Sequence, residues 1–422
     1  MKFVELTQEE YQTYFISSKA HNFWQSVEMA NMRAKKGWEI HYLGVKENEE
    51  ILCACTLQSM DVYRGNKLFM ALRGFLIDYH NDDLVNYFMK ELIAFLIEHK
   101  CLYMKLDPYI SYQQHDIDGN TIEGTFKEDH LIKVLESFGF QHEGFRTHHE
   151  DEFEPRWMSV LSLEDTSEEA LLKQMQSMTR RNINFTEKTG IKVRELKRNE
   201  LSILEKVVEA TGNRKNFNKP DLAYYESFYD CFQEHMSALF AYLDMNEYIA
   251  RIEDEYTAEE ANINKLKDAV EKNPEAKKTA NRLQQAQDNL SVIEKRKIEA
   301  LQLQSAHGNE IPLAASMFVK YPNEVLYLFG GSYSEFHKFK GSYAIQWYAI
   351  KDALHHHVPK YNFYGISGNF SEDAQDYGVY LFKKGFHADV IELVGDFIYI
   401  GNPSAYKQYQ MLRKIKHKVL RR

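Results

Sequence analysis

The chain has 422 residues, is 44% hydrophobic and 27% charged, and carries a formal net charge of −10. That length holds two or three domains with ample cores, and the acidic balance excludes wholesale coating of nucleic acid while leaving room for local basic patches. No apolar run reaches membrane-spanning length, the opening MKFVELTQEEYQTYF carries charges where a signal peptide needs an apolar core, and Cys53, Cys55, Cys101 and Cys231 are too scattered for a disulfide framework or a zinc site, so the cytosol is expected.

The first third reads as mixed α/β. HYLGVK (41–46), ILCACTLQS (51–59) and KLFMALRGF (67–75) are strand-like, with Cys53 and Cys55 alternating onto one strand face as small core residues. A helix is expected from Leu84, capped by Asp82 or Asp83, with Leu84, Phe88, Leu92 and Phe95 as its apolar stripe. LYMKLDP (102–108) is a strand ended by Asp107-Pro108, and a helix near 130–138 stops at Gly139. A further helix opens at Thr166, boxed by Glu169, and runs through Leu171, Met175, Met178 and Phe185 to Gly190. His148-His149 reads as a loop.

The chain echoes itself. EILCACTL (50–57) resembles EIPLAASM (310–317), CLYMKLDP (101–108) answers KYNFYGIS (360–367), and SFGFQHEGF (137–145) answers KKGFHADVI (383–391), at offsets of 260 (Ile51 to Ile311) and 246 (Gly139 to Gly385). This implies one duplicated αβ domain rather than a short-period solenoid. Between the copies, 246–307 is nearly free of glycine. Ile252, Tyr256, Ile263, Leu266 and Val270 recur at helical spacing, as do Leu283, Ala286, Leu290, Ile293 and Leu301, and Lys272-Asn273-Pro274-Glu275 splits the runs. An antiparallel coiled-coil hairpin follows, each arm roughly 40 Å long.

YNFYGISGNFSEDAQDYGVYLFKKGF (361–386) begins as a strand, breaks at Gly365 and Gly368, crosses an acidic loop and closes on Phe382-Lys383-Lys384-Gly385-Phe386. A strand, a loop and then a cation beside a glycine can build a ligand crevice; a plain strand–loop–strand with a solvated lysine pair is the alternative. His355-His356-His357 ends a helix, where cations suit the dipole, and three consecutive helical residues cannot converge on a metal. The final segment, 406–422, has seven Lys/Arg, no acid and an apolar row of Tyr409, Leu412, Ile415 and Val419. An anionic membrane surface, a tRNA stem and plain solvent all suit such a helix.

In order and spacing, FWQSVEMANMRAKKGWE (23–39), LRGFLIDY (72–79), HKCLYMKLDPY (99–109), RWMSVLSL (156–163), TRRNI (179–183), LYLFGGS (326–332), HKFKGSYAIQW (337–347), 361–386 and GDFI (395–398) resemble the Fem family of peptidoglycan-bridge aminoacyltransferases (the FemA, FemB, FemX and MurM/MurN types), nearest the FemA/FemB branch. The resemblance implies an α/β (α+β) fold of two GNAT-like subdomains with the inserted hairpin. The units would be 1–150; 151–245 with 308–405; the arm 246–307; and the basic helix 406–422. It implies transfer of Gly, Ser or Ala from aminoacyl-tRNA to the amine of a lipid II or UDP-linked muropeptide, without cofactor or metal. An ester donor is already activated, so positioning and oxyanion stabilisation suffice. Peripheral contact with the inner membrane face, and a homodimer or Fem-type partner, are partner expectations that stay open.

Site roles transfer residue by residue. Phe382 and Lys383 match the reaction-channel pair, with Lys383 steadying the oxyanion or the tRNA 3′-end phosphate and Lys384 its rival. Arg181, beside Thr179 and Arg180 in TRRNI, matches a phosphate-gripping arginine, suited by its planar fork. Arg33 stands where several relatives carry lysine, keeping the charge with a different geometry, and Tyr327 matches a substrate-contacting tyrosine or is a core aromatic. Asp107, at a strand's carboxyl end, can accept a proton from the attacking amine, or it can be a structural Asp-Pro turn. Lys338 and Lys340 before Gly341 form only a degenerate version of the acyl-CoA pyrophosphate loop of acetyl-CoA-using relatives, which speaks against CoA and leaves room for an RNA phosphate. The rival readings are an acyl-CoA N-acyltransferase and a non-catalytic coiled-coil or RNA-binding scaffold.

Overall fold

The computed structural model describes residues 1–147, 154–215 and 219–420, so His148-His149 lies outside the described residues. Among the described residues, fifteen strands form two sheets. In chain order they are β1 (Lys2–Glu5), β2 (Glu39–Glu47), β3 (Glu50–Tyr63), β4 (Asn66–Leu72), β5 (Cys101–Asp107), β6 (Ser111–Gln114), β7 (Phe140–His142), β8 (Trp157–Ser162), β9 (Lys192–Glu195), β10 (Met236–Asp244), β11 (Glu310–Tyr321), β12 (Glu324–Ser332), β13 (Lys360–Ile366), β14 (Asp389–Leu393) and β15 (Phe397–Tyr399).

The first sheet runs β1-β2-β3-β4-β5-β15-β7 and the second β9-β10-β11-β12-β13-β8-β14-β6. Each is antiparallel except for one parallel pair, β4 with β5 and β12 with β13. The echoed segments fall on matching strands: β3 on β11, β5 on β13, β7 on β14. One matching position is exchanged: β8 stands between β13 and β14 in the second sheet, and β15 between β5 and β7 in the first, while β6 from the first half adds the second sheet's edge beside β14.

Cys53 and Cys55 are buried in the first half's core, which β2 to β5 share with helix Asp82–Glu98. Helix Gly341–His355 buries Ile345, Trp347 and Ile350 against β10 to β12 in the second half. A third apolar cluster joins the halves, bringing Tyr11, Phe15 and Phe23 to Phe228, Phe232 and Leu326.

Local chemistry moves some boundaries. Asn81, not Asp82 or Asp83, caps helix 82–98, because its side chain reaches the Leu84 amide at 3.1 Å. Ser167 rather than Thr166 caps Glu168–Gln174, and the chain turns extended at Met175 before helix Ser177–Thr189 begins. The expected stripe is therefore cut: Leu171 and Met175 are buried, while Met178 and Phe185 face solvent. Gly190 closes the second helix at φ +78°, a left-handed position that suits glycine.

The hairpin arms are Met245–Lys272 and Lys277–His307, parted at Asn273-Pro274. At 1.5 Å per residue they extend about 40–45 Å. Ile252, Ile263, Ala286 and Ala300 are buried along the arms; Leu301, expected there, is exposed because the neighbouring Ala300 takes the inward position.

Candidate active site

The second half opens where its parallel strands part. β12 and β13 pair only at Val325–Tyr361 and Leu326–Asn362. On β12, a Cβ at Gly330 would lie 2.2 Å from the Tyr327 hydroxyl, and one at Gly331 would lie 2.6 Å from the Val207 carbonyl, so both positions need the missing side chain. On β13, the register with β8 breaks between Asn362 and Gly365, and Tyr364 takes a φ of +65°.

Lys383 is built into that irregularity. Residues Tyr377–Gly385 form a helix, where the sequence suggested a loop leading to a lysine pair. Lys383, 4% exposed, points under β13 and donates to the Tyr364 and Gly365 carbonyls at 3.2 and 2.5 Å. A bulged strand frees carbonyls from its ladder, and a buried ammonium satisfies them with charge-assisted bonds. Phe382 stands edge-on to Tyr343 and Phe386, with centroids 5.0 and 5.3 Å away. The helix is seated against Ser177–Thr189: the Gln176 amide donates to the Gly385 carbonyl at 3.0 Å, and a Cβ on Gly385 would sit 2.3 Å from Thr179 Oγ1. Thr179 is thus buried at a helix crossing.

Asp107 ends β5 inside the protein. Its Oδ1 accepts from the Arg73 amide at 2.7 Å, and Oδ2 faces the Arg73 guanidinium at 3.3 Å without a formed hydrogen bond. Burial pushes the Asp107 carboxyl up to about 7, Arg73 pulls it down, and Asp396 adds to the rise. Burial also works against the Arg73 charge, yet Asp107 and Tyr364 leave it raised overall. The guanidinium keeps its proton throughout, so the carboxyl is the partner that titrates.

A polar chain joins Asp107 to Lys383. The Arg73 guanidinium lies 5.8 Å from the Tyr109 ring centre; Asn362 donates to the Tyr109 hydroxyl at 3.1 Å; Asn362 Oδ1 accepts from the Tyr364 amide at 2.8 Å; and the Tyr364 carbonyl holds Lys383. Glu324 anchors the middle, taking bonds from Tyr109, Asn362 and Asn22 at 3.0 to 3.1 Å, while burial raises its pKa. The Tyr364 hydroxyl donates to Glu154. Arg33 stacks between Trp24 and Trp38, 5.3 Å from each ring, and burial lowers its pKa. Spacing alone did not point to Tyr109, Glu154, Glu324 or Tyr364. The one local signal was Asn362, an amide inside an otherwise aromatic strand.

The remaining candidates sit apart from that chain. Arg181 is exposed, its Nε 3.4 Å from the Ser177 carbonyl, whereas Arg180 caps the preceding helix through the Leu172 and Lys173 carbonyls. Tyr327 packs on Phe318, and burial raises its hydroxyl to about 12. Lys384 pairs with Asp118 and Lys338 with Glu299 of the hairpin, so these two lysines point to different places. Lys340 takes a left-handed conformation at the start of helix 341–355. Among the described residues, no group of three or more His, Cys, Asp or Glu is placed to hold a metal.

The profile of the FemAB family matches residues 6–414. Aminoacyltransferase FemA of Staphylococcus aureus (strain MRSA252) is 37% identical over 420 residues, covering 99% of this chain and 100% of that protein. The chain belongs to the FemAB family. FemA of strain N315 matches equally, at 37% over 420 residues and the same coverage. A crystal structure of FemX superimposes with a TM-score of 0.80 at 25% identity, covering 97% of this chain and 99% of that one. This FemAB protein is an aminoacyltransferase built on two β-sheets with an inserted helical hairpin.

Proposed function

We propose that this FemAB protein moves an amino acid (Gly, Ser or Ala) from aminoacyl-tRNA to the amine of a peptidoglycan-precursor stem peptide or growing bridge. The acceptor is carried on lipid II or a nucleotide, and the reaction takes place in the cytoplasm at the inner membrane face. The amine nitrogen bonds to the ester carbonyl carbon, the bond to the ribose oxygen breaks, and the proton lost by nitrogen passes to a base. Asp107 fits that base, since a carboxyl with a pKa near 7 accepts a proton at neutral pH and can return it to the leaving oxygen. Lys383 places positive charge behind the β13 bulge, where the developing oxyanion is steadied without a covalent enzyme intermediate. Phe382 and Tyr327 wall the opening, Arg181 and Arg33 hold phosphates of the acceptor with Thr179 fixing the Arg181 helix, and Lys338, Lys340 and Lys384 meet the tRNA. The working units are 1–150, 151–245 with 308–405, the arm 246–307 and the helix 406–422.

The polar chain from Asp107 to Lys383 carries this reading, in a protein that matches an aminoacyltransferase end to end. The test is incubation with lipid II or the UDP-linked muropeptide and either tRNAs charged with Gly, Ser and Ala or an acyl-CoA. Mass spectrometry of the muropeptide should show a one-residue addition from tRNA. Turnover with the thioester alone would reject the proposal.

A further inference from the structure

The last helix, Pro403–Leu420, begins beside the first sheet. Its first turns dock on the back of the first sheet: Tyr406 and Tyr409 pack against Tyr103 with ring centres 5.1 and 5.9 Å apart, and the Tyr63 hydroxyl donates to Gln408 at 2.9 Å. Beyond that anchor the apolar row turns outward. Met411, Leu412 and Ile415 are 59%, 51% and 53% exposed, and Lys407 and Lys414 are exposed beside them. The segment 406–422 carries seven cations and no acid in a chain whose net charge is −10.

We infer that this helix lies in the surface of an anionic lipid bilayer, with Met411, Leu412 and Ile415 entering the acyl boundary and the lysines and arginines meeting lipid phosphates. Charge complementarity alone would suit any polyanion. An RNA backbone has no use for three exposed aliphatic side chains in one row, whereas an interfacial helix requires both features together. Among the described residues no helix is long and apolar enough to cross a membrane, so the contact is peripheral. The inference deepens the part of the proposed function that concerns the membrane, and its test uses no substrate, so the two can fail separately.

The test is flotation of the full-length protein with vesicles of phosphatidylglycerol and phosphatidylcholine, and with phosphatidylcholine alone. The wild type should float only with the anionic vesicles. Met411→Asp/Leu412→Asp/Ile415→Asp, all at exposed positions, should weaken binding at least about tenfold, as should Lys407→Glu/Lys414→Glu. Raising salt from about 0.1 M to about 1 M shortens the screening length from about 10 Å to about 3 Å and should release part of the bound protein. A wild type that stays in solution, a triple variant that floats unchanged, or one that alters only the oligomeric state or tRNA binding overturns the inference.

Discussion

In the first half, β4 and β5 slip once beside Lys67 and then stay in register from Leu68–Tyr103 to Leu72–Asp107, and the Arg73–Asp107 ion pair closes their end. In the second half, the matching strands β12 and β13 pair at two positions and then part. The helix that follows differs in the same sense: the position of Lys383 is taken in the first half by exposed Ser137, at the end of Asp129–Ser137. One copy of the fold has spent its strand pair on rigidity and the other on an opening with a buried cation behind it. Tyr109, Glu324 and Asn362 join the copies between the two ends.

Replacing Lys383 tests that division hardest. Lys383→Met keeps much of the volume, and kcat should fall by roughly 10²–10³, as when a preorganised electrostatic donor is removed. Ser137→Met, its counterpart, should leave turnover unchanged. Equal losses would erase the distinction between the halves.

The closed end should break almost as strongly, but in stability. Asp107→Leu leaves the buried Arg73 charge without its partner and should cost about 3–5 kcal/mol in urea unfolding, more than Arg73→Leu, after which the carboxyl can take up a proton. The double variant should recover much of that loss, because no lone charge remains.

Asp107 also sets a pH signature. Its folded pKa lies above the ordinary carboxylate value, so the folded state holds this proton more tightly than the unfolded chain does. Its contribution to stability is present below the unfolded pKa and is lost as pH rises toward about 7. The base form appears over the same range, so kcat/KM should climb with pH through about 7, and Asp107→Asn should remove that limb.

At the helix crossing, Gly385→Ala forces a Cβ against Thr179 and should destabilise by about 1–3 kcal/mol, with relief from Thr179→Ala measured in a double-mutant cycle. The smallest stability effect belongs to Arg181→Ala, which should stay within about 0.5 kcal/mol while raising KM for the acceptor.

The duplication was legible because both central strands must be apolar on each face: ILCACTL and IPLAASM solve one packing problem twice. The hairpin was legible because Pro274 sits between two helical periodicities. Helix 377–385 was not. Its YGVYLF run favours a strand locally, and only the burial of Tyr380 and Lys383 against the second half makes it helical. The polar chain was hidden for a different reason. Tyr109 meets Glu324 and Asn362 across more than two hundred residues, and no local spacing encodes such a contact.

The traded strands bear on how the chain is made. At synthesis rates of roughly 5–20 residues per second, β15 leaves the ribosome some tens of seconds after β7, so the earlier sheet must wait with a vacancy between β5 and β7. The nascent amino-terminal half thus carries an unfilled slot until residues 397–399 have been made, and a chain cut before residue 397 has no strand to fill it.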